Sequence, residues 1–180
     1  MKHYFEQLAK RNLKLNLINK FTYLNSKKLP DLKKIVIFTK NKTVNYTYLI
    51  SASFALKILT SQKSNFILSK KSNIFAKLKK MQPIGVKVTL RNKNKNDFAT
   101  KILFDMFLET EKTESSYKIG SIGINFITLQ NSNIFIFEEL ENHFDALRKI
   151  KNFQITYVTN ACNKKENCFV LRFYKIPFLK

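Results

Sequence analysis

From residue 84 to 91 the side chains alternate, with Ile84, Val86, Val88 and Leu90 apolar and Lys87, Thr89 and Arg91 polar. A period of two sends successive side chains to opposite sides of an extended chain. A strand with one apolar and one polar face needs strand neighbours for its backbone and a second layer over its apolar side. The rest of the chain supplies both. β-rich runs of strand length occur at residues 34–38, 65–68, 123–129, 134–137 and 153–159, and each predicts a strand. Apolar residues at spacings of three and four predict helices. Leu8, Leu13, Leu15, Leu17 and Ile18 mark one over residues 1–21, and Leu49, Ile50, Phe54, Ile58 and Leu59 mark another over 46–59. Phe98, Ile102, Leu103 and Phe107 mark a third over 97–108, with Asp97 near the end where the helix dipole favours a carboxylate. Shorter helices are expected at 143–149 and 166–174. Leu29-Pro30-Asp31 breaks the first helix from the first strand, residues 92–96 read as a turn capping the next helix, and residues 69–83 read as a polar, lysine-rich loop. This mixed order predicts an α+β fold in a single domain, 1–180, with a mainly antiparallel sheet and helices packed on one face.

Charge narrows the function. Thirty-three Lys and Arg against 12 Asp and Glu leave a formal +21, and self-repulsion of that size is best tolerated beside a polyanion. The basic residues run from Lys2 to Lys180 rather than in one tail, so the folded surface itself carries the field and nucleic acid is the leading partner. A hydrophobic fraction of 44% is too high for a disordered tail. The bias toward Lys, Asn, Ile and Phe, with no Trp and 3 Gly, is that of an AT-rich genome, as mitochondrial genomes often are.

Other function classes find little support. Cys162 and Cys168, with His143 and His3, lack the paired spacing of a zinc ribbon, so no metal is expected, and two cysteines make no disulfide scaffold. Glu138, Glu139 and Glu141 have no partner group to set up acid–base catalysis and read as a solvated turn or an acidic patch facing a basic neighbour. An RNA-modifying enzyme would need a nucleophile, base, metal or Gly-rich cofactor loop, none of which the sequence offers, so no enzyme and no cofactor is expected. The apolar runs fall far short of the ~20 residues that cross a bilayer. The basic residues 1–21 could be taken for an organelle transit peptide, but Glu6 and the scarcity of Ser and Arg favour a structural helix.

The densest basic region is Lys57, Lys63, Lys70, Lys71, Lys77, Lys79 and Lys80, which are expected to contact phosphates. Aromatics at strand and helix periods are expected in the core. Phe75 differs: it lies in the polar loop, where no core face is evident, and is a candidate for base stacking.

The nonamer Pro83-Ile84-Gly85-Val86-Lys87-Val88-Thr89-Leu90-Arg91 closely resembles the Pro-Ile-Gly-x-Lys-Val-Thr-Leu-Arg signature of the large-subunit ribosomal protein five family. The similarity runs back through Lys71-Ser72 and Gln62-Lys63 to Leu29-Pro30-Asp31-Leu32-Lys33-Lys34-Ile35, and returns at Ile176-Pro177-Phe178-Leu179-Lys180. It is strongest over residues 29–104 and weaker over 110–140. The resemblance implies a protein of the central protuberance that binds 5S rRNA, a nearby large-rRNA hairpin, or both. It also implies a loop that reaches the P-site tRNA, a small-subunit head protein met across an intersubunit bridge, and other central-protuberance proteins as neighbours. Within the matching segments, Lys33, Lys34, Gln62, Lys63, Lys87 and Arg91 are the candidate rRNA contacts. Lys71, Ser72, Phe75, Lys77, Lys79 and Lys80 are the candidate tRNA contacts. The chain departs from the family where Phe38-Thr39-Lys40 replaces an Asn-x-Gly, Ser61 replaces a glycine, Ile67 replaces a threonine, and a Gly-rich stretch is reduced to Ser121-Ile122-Gly123-Ile124-Asn125-Phe126. Of the amide and threonine set associated with 5S rRNA, Gln62 survives. These departures fit a divergent, organelle-encoded mitochondrial ribosomal protein.

Overall fold

In the computed structural model of the chain, residues 2–41, 43–75, 77–110, 117–131, 137–150 and 153–174 are described. The elements follow in the order α1 (Lys2–Lys20), a short 3-10 turn (Ser26–Lys28), β1 (Leu32–Lys40), α2 (Tyr46–Thr60), β2 (Asn65–Leu68), β3 (Pro83–Leu90), α3 (Asn92–Thr110), β4 (Tyr117–Ile122), β5 (Phe126–Asn131), α4 (Glu138–Glu141), α5 (Phe144–Leu147), β6 (Phe153–Thr159) and α6 (Lys164–Phe173). The six described strands form one sheet in the order β2-β3-β1-β6-β5-β4, and every pairing is antiparallel. This is the α+β architecture that the alternating strand and helix periods predict.

The period of two sets the core. Ile35 and Ile37 of β1, Val86, Val88 and Leu90 of β3, Ile127 and Leu129 of β5, and Ile155 and Tyr157 of β6 are all buried in one cluster. From the helices, that cluster takes Leu49, Leu56 and Leu59 of α2, Phe98 and Ile102 of α3, Leu140, Leu147 and Leu171. Each large apolar side chain buried this way contributes roughly 1.5–3 kcal/mol. A second, smaller cluster joins α1 to α6 through Leu13, Leu17 and Val170. Helix α2 starts where the Asn45 side chain accepts the Tyr48 N–H at 3.3 Å. It stops at Ser61, whose left-handed φ of 52° ends the ladder as its N–H bonds Lys57 O. Glycine is required at Gly85, because a Cβ there would lie 2.5 Å from Thr39 O across the β1–β3 pairing.

Several expectations need correction. Residues 92–96 are not a turn ahead of a helix but the opening of α3 itself. This asparagine-rich stretch is a poor helix former, yet Lys95 reaches back to the carbonyl of Leu32 and Asn96 is buried, so tertiary contacts override propensity. The strand expected at 123–129 begins later. Gly123 N donates to Phe126 O at 2.8 Å, which makes residues 123–126 the turn between β4 and β5. Of the strand expected at 134–137, residues 134–136 lie outside the described residues, and Phe137 is the buried cap that precedes α4. The helix expected at 143–149 is a single turn, α5, and a second one-turn helix, α4, precedes it across residues 142–143.

Candidate nucleic-acid interface

The strand residues of the other parity point away from the core cluster and make a second face. Reading across the register, Asn65 pairs with Lys87, Lys87 with Phe38, Phe38 with Gln154, and Gln154 with Gln130. The adjacent row runs Thr89, Val36, Thr156, Thr128. Lys34 pairs with Val158, which pairs in turn with Phe126. Apart from Thr128, which bonds Ser121 at 2.9 Å, these side chains are half-buried or exposed. The face therefore interleaves ammonium groups, primary amides and hydroxyls with one central aromatic ring. Such a surface can neutralise phosphates, bond riboses and base edges, and stack on one base.

The candidate rRNA contacts fall around this face. Lys34 and Lys87 stand on it. Arg91 is exposed and follows Leu90, whose partner is Ile35, so the chain leaves the sheet beside Lys34. Lys33 is exposed in the bulge between Leu32 and Lys34. Gln62 is half-buried and Lys63 exposed in the turn from α2 to β2, at the edge of the sheet. The amides Gln130 and Gln154 and the threonines were not singled out from sequence. Their signal was present nonetheless: Gln154, Thr89, Thr128 and Thr156 each sit between two buried apolar residues of a strand, and Gln130 follows buried Leu129. Phe38 was expected in the core with the other aromatics, but its parity puts it on the outward face.

Residues 69–82 are more ordered than a plain polar loop. Asn73 and Leu78 exchange both backbone hydrogen bonds at 2.9 Å. At the base, Ser69 N donates to Gln82 O at 2.8 Å, Met81 N to Ser69 O at 3.0 Å, and the Ser69 hydroxyl to Lys79 O at 2.6 Å. Gln82 Oε1 accepts Lys79 N at 2.8 Å, and Asn73 Oδ1 accepts Phe75 N at 3.0 Å. Lys77 and Met81 take left-handed φ values of 50° and 68° to close these turns. The tip displays Ile74 and Phe75, 91% and 102% exposed. Lys70, Lys71, Ser72, Lys77, Lys79 and Lys80 are exposed around it. An apolar pair held in water by a structured hairpin forgoes roughly 1.5–3 kcal/mol of burial per side chain, which makes the tip a candidate contact element.

The helical side carries different chemistry. Glu138, Glu139, Glu141 and Asp145, four of the 12 acids, lie within α4 and α5. The Phe54 ring of α2 meets His143 edge-on at 5.3 Å, and Tyr46, Ile50 and Phe144 are exposed. Lys101 of α3 pairs with Glu139 at 2.5 Å. Burial raises the Glu139 carboxyl, but the hydrogen bonds and charge, chiefly from Lys101, outweigh it and hold the group below its ordinary value.

Among the described residues, no group of three or more His, Cys, Asp or Glu is placed to hold a metal ion, and no described helix is long and apolar enough to cross a membrane. Cys162 is exposed and Cys168 half-buried, both as free thiols.

No family model matches the chain. It is similar to large ribosomal subunit protein uL5m of Reclinomonas americana, with 28% identity over 185 residues covering 100% of this chain and 98% of that one. It is 31% identical to large ribosomal subunit protein uL5 of Malacoplasma penetrans over 173 residues, covering 95% of this chain and 91% of the relative. To the uL5 of a Clostridium botulinum strain it is 33% identical over 167 residues, 91% of each. Identity at this level, sustained along the chain and joined to the Pro83–Leu90 strand beside the β2 edge of the sheet, shows that the chain belongs to the uL5 family, structural constituents of the large ribosomal subunit and not enzymes.

Proposed function

We propose that the chain, acting as one domain, is an rRNA-binding constituent of the large subunit of a mitochondrial ribosome, with the open sheet face as its principal contact. The observation that carries this reading is the pair of rows on that face, Asn65-Lys87-Phe38-Gln154-Gln130 and Thr89-Val36-Thr156-Thr128. A helix-covered sheet would bury such positions. Here, Thr128 aside, they stay half-buried or exposed on a chain carrying +21. Lys34, Lys87 and Arg91 neutralise phosphates of large-subunit rRNA, whether 5S rRNA, a neighbouring hairpin or both. Gln62, with Lys63, extends the contact past the sheet edge.

The same reading gives the hairpin of residues 69–82 to the P-site tRNA. Its exposed lysines supply point charges for the backbone rather than the planar fork of an arginine, so it grips phosphates without reading sequence. Phe75 adds a ring for stacking at the tip. The acidic and aromatic surface of α2, α4 and α5 suits a basic protein, and we assign it to the small-subunit head. The similarity to a uL5m supports the mitochondrial placement, as does the AT-rich residue bias.

The test is the salt dependence of binding to a large-subunit rRNA hairpin transcript. Log affinity against log salt should fall by about 0.7–0.9 for each phosphate neutralised. K34E/K87E should flatten the slope by roughly two such contacts. A slope near zero in the unaltered protein would show that its charge is not spent on RNA.

A further inference from the structure

Between the C-terminal end of α2 and the first half of α3 lies a cleft of about 220 Å³, lined by Leu59, Thr60, Ser61, Asn94, Asp97, Phe98 and Lys101. Leu59 and Phe98 are buried and give it an apolar floor. The rim is polar, but its groups are not equally committed. The Thr60 hydroxyl is spent on Leu56 O at 2.7 Å, and the Lys101 ammonium on Glu139. Among the described residues, no cation or N–H reaches the Asp97 carboxylate; the Thr100 hydroxyl donates to the Asp97 backbone carbonyl instead. The side chains of Ser61 and Asn94 are likewise open to the cleft. In a chain this basic, an unneutralised carboxylate over an apolar floor is unusual, and it makes the cleft an acceptor site.

The surroundings say what kind of donor it takes. Lys57 bonds Ser61 through its carbonyl, Lys63 follows two residues on, and Lys93 precedes Asn94, and all three are exposed. A guanidinium from a basic protein would be repelled by this ring of ammonium groups, whereas a nucleotide brings a phosphate to meet it. Guanine alone among the four bases presents two adjacent donors, N1–H and N2–H, on its Watson–Crick edge, matching the two oxygens of a carboxylate. The volume is below that of drug-sized pockets and suits one planar ring system.

We propose that this cleft receives one unstacked guanine of the RNA that the protein binds. Asp97 accepts N1–H and N2–H, and Ser61 and Asn94 bond the remaining edge. The assignment rests on the RNA-binding reading above but uses a different part of the molecule from the sheet face.

The experiment titrates the full-length, ¹⁵N-labelled protein with GMP, AMP, CMP and UMP and follows the amides of Ser61, Asn94 and Asp97. GMP should shift all three and saturate first. Asp97→Asn, which keeps the side-chain shape, should erase the preference for GMP, a loss of about tenfold or more. Asn94→Ala, at an exposed position, serves as the second variant and should weaken GMP binding. Equal shifts with all four nucleotides would mean phosphate binding only and would overturn the guanine site, as would stronger shifts from free arginine. If the rRNA hairpin keeps its salt slope while GMP leaves the three amides unmoved, the guanine site is overturned and the sheet-face reading stands.

Discussion

The two faces of one sheet share the same strands and differ by a single residue of phase. Ile37 points into the helical layer and is fully buried, while Phe38, its neighbour, stands on the open face between Lys87 and Gln154. Behind the first lie the packed leucines of α2. Around the second are ammonium groups, amides and hydroxyls. The helical layer then has its own outer surface, where the acids of α4 and α5 and the exposed rings of α2 gather. A polyanion and a basic protein can thus be met from opposite sides, because the sheet and its helices screen one charge pattern from the other. On the proposed reading, folding energy lies on the inner parity and recognition on the outer.

The sharpest way to break this contrast is to truncate the two neighbours in turn. Ile37→Ala should cost about 2–5 kcal/mol of stability in urea unfolding and leave the salt slope for the rRNA hairpin unchanged in whatever fraction remains folded. Phe38→Ala should cost less stability but weaken hairpin binding by about 1–3 kcal/mol, the worth of one stacked base. If Phe38→Ala proved the more damaging to folding and neutral for RNA, the assignment of faces would be reversed.

A smaller effect is expected when the charge of the hairpin is reversed. With K77E/K79E, subunits should assemble normally while P-site tRNA is retained severalfold less well, as read by tRNA dissociation from purified ribosomes. An assembly defect with unchanged retention would refute the tRNA role and make the hairpin a second rRNA contact.

The smallest effect concerns Lys101 and Glu139, the ion pair on the helical side. Its partners are 22% and 50% exposed, so Glu139→Gln should cost no more than about 0.5 kcal/mol at neutral pH. The folded-state carboxyl is held below its ordinary value. The contribution is therefore complete above the usual glutamate range and is lost as pH falls through the depressed value. Urea unfolding of both proteins should converge at low pH, and a gap that widened on acidification would contradict the assigned direction.

Much of this organisation could be read from residue patterns. The alternation at residues 84–91 declared β3, the spacing from Leu49 to Leu59 declared α2, and the charge declared a polyanionic partner. What escaped was set by contacts distant in sequence. Nothing local tells that Lys95 bonds the carbonyl of Leu32, and without that bond the asparagine-rich opening of α3 reads as a turn. The two short helices after Phe137 hide in a segment whose apolar residues, Leu140, Phe144, Leu147 and Ile150, keep helical spacing although residues 142–143 interrupt the helix. The candidate lysines were found by charge. The amides and threonines beside them are uncharged and gain meaning only once the register puts Gln154 next to Phe38 and Gln130 next to Gln154. The cleft at Asp97 lies between two helices whose mutual placement no local pattern reveals.

The hydrogen bonds that tie Ser69 to Gln82 and Asn73 to Leu78 have a consequence in time as well as in shape. Fixing a residue's backbone costs about 1–2 kcal/mol of entropy, and a slack loop would meet that cost at the moment of capture, with an ordering step after first contact. A hairpin already closed on itself meets it during folding. Its encounter with a partner should therefore be one collision-limited event, hastened at low ionic strength by the surrounding lysines and free of a slow second phase.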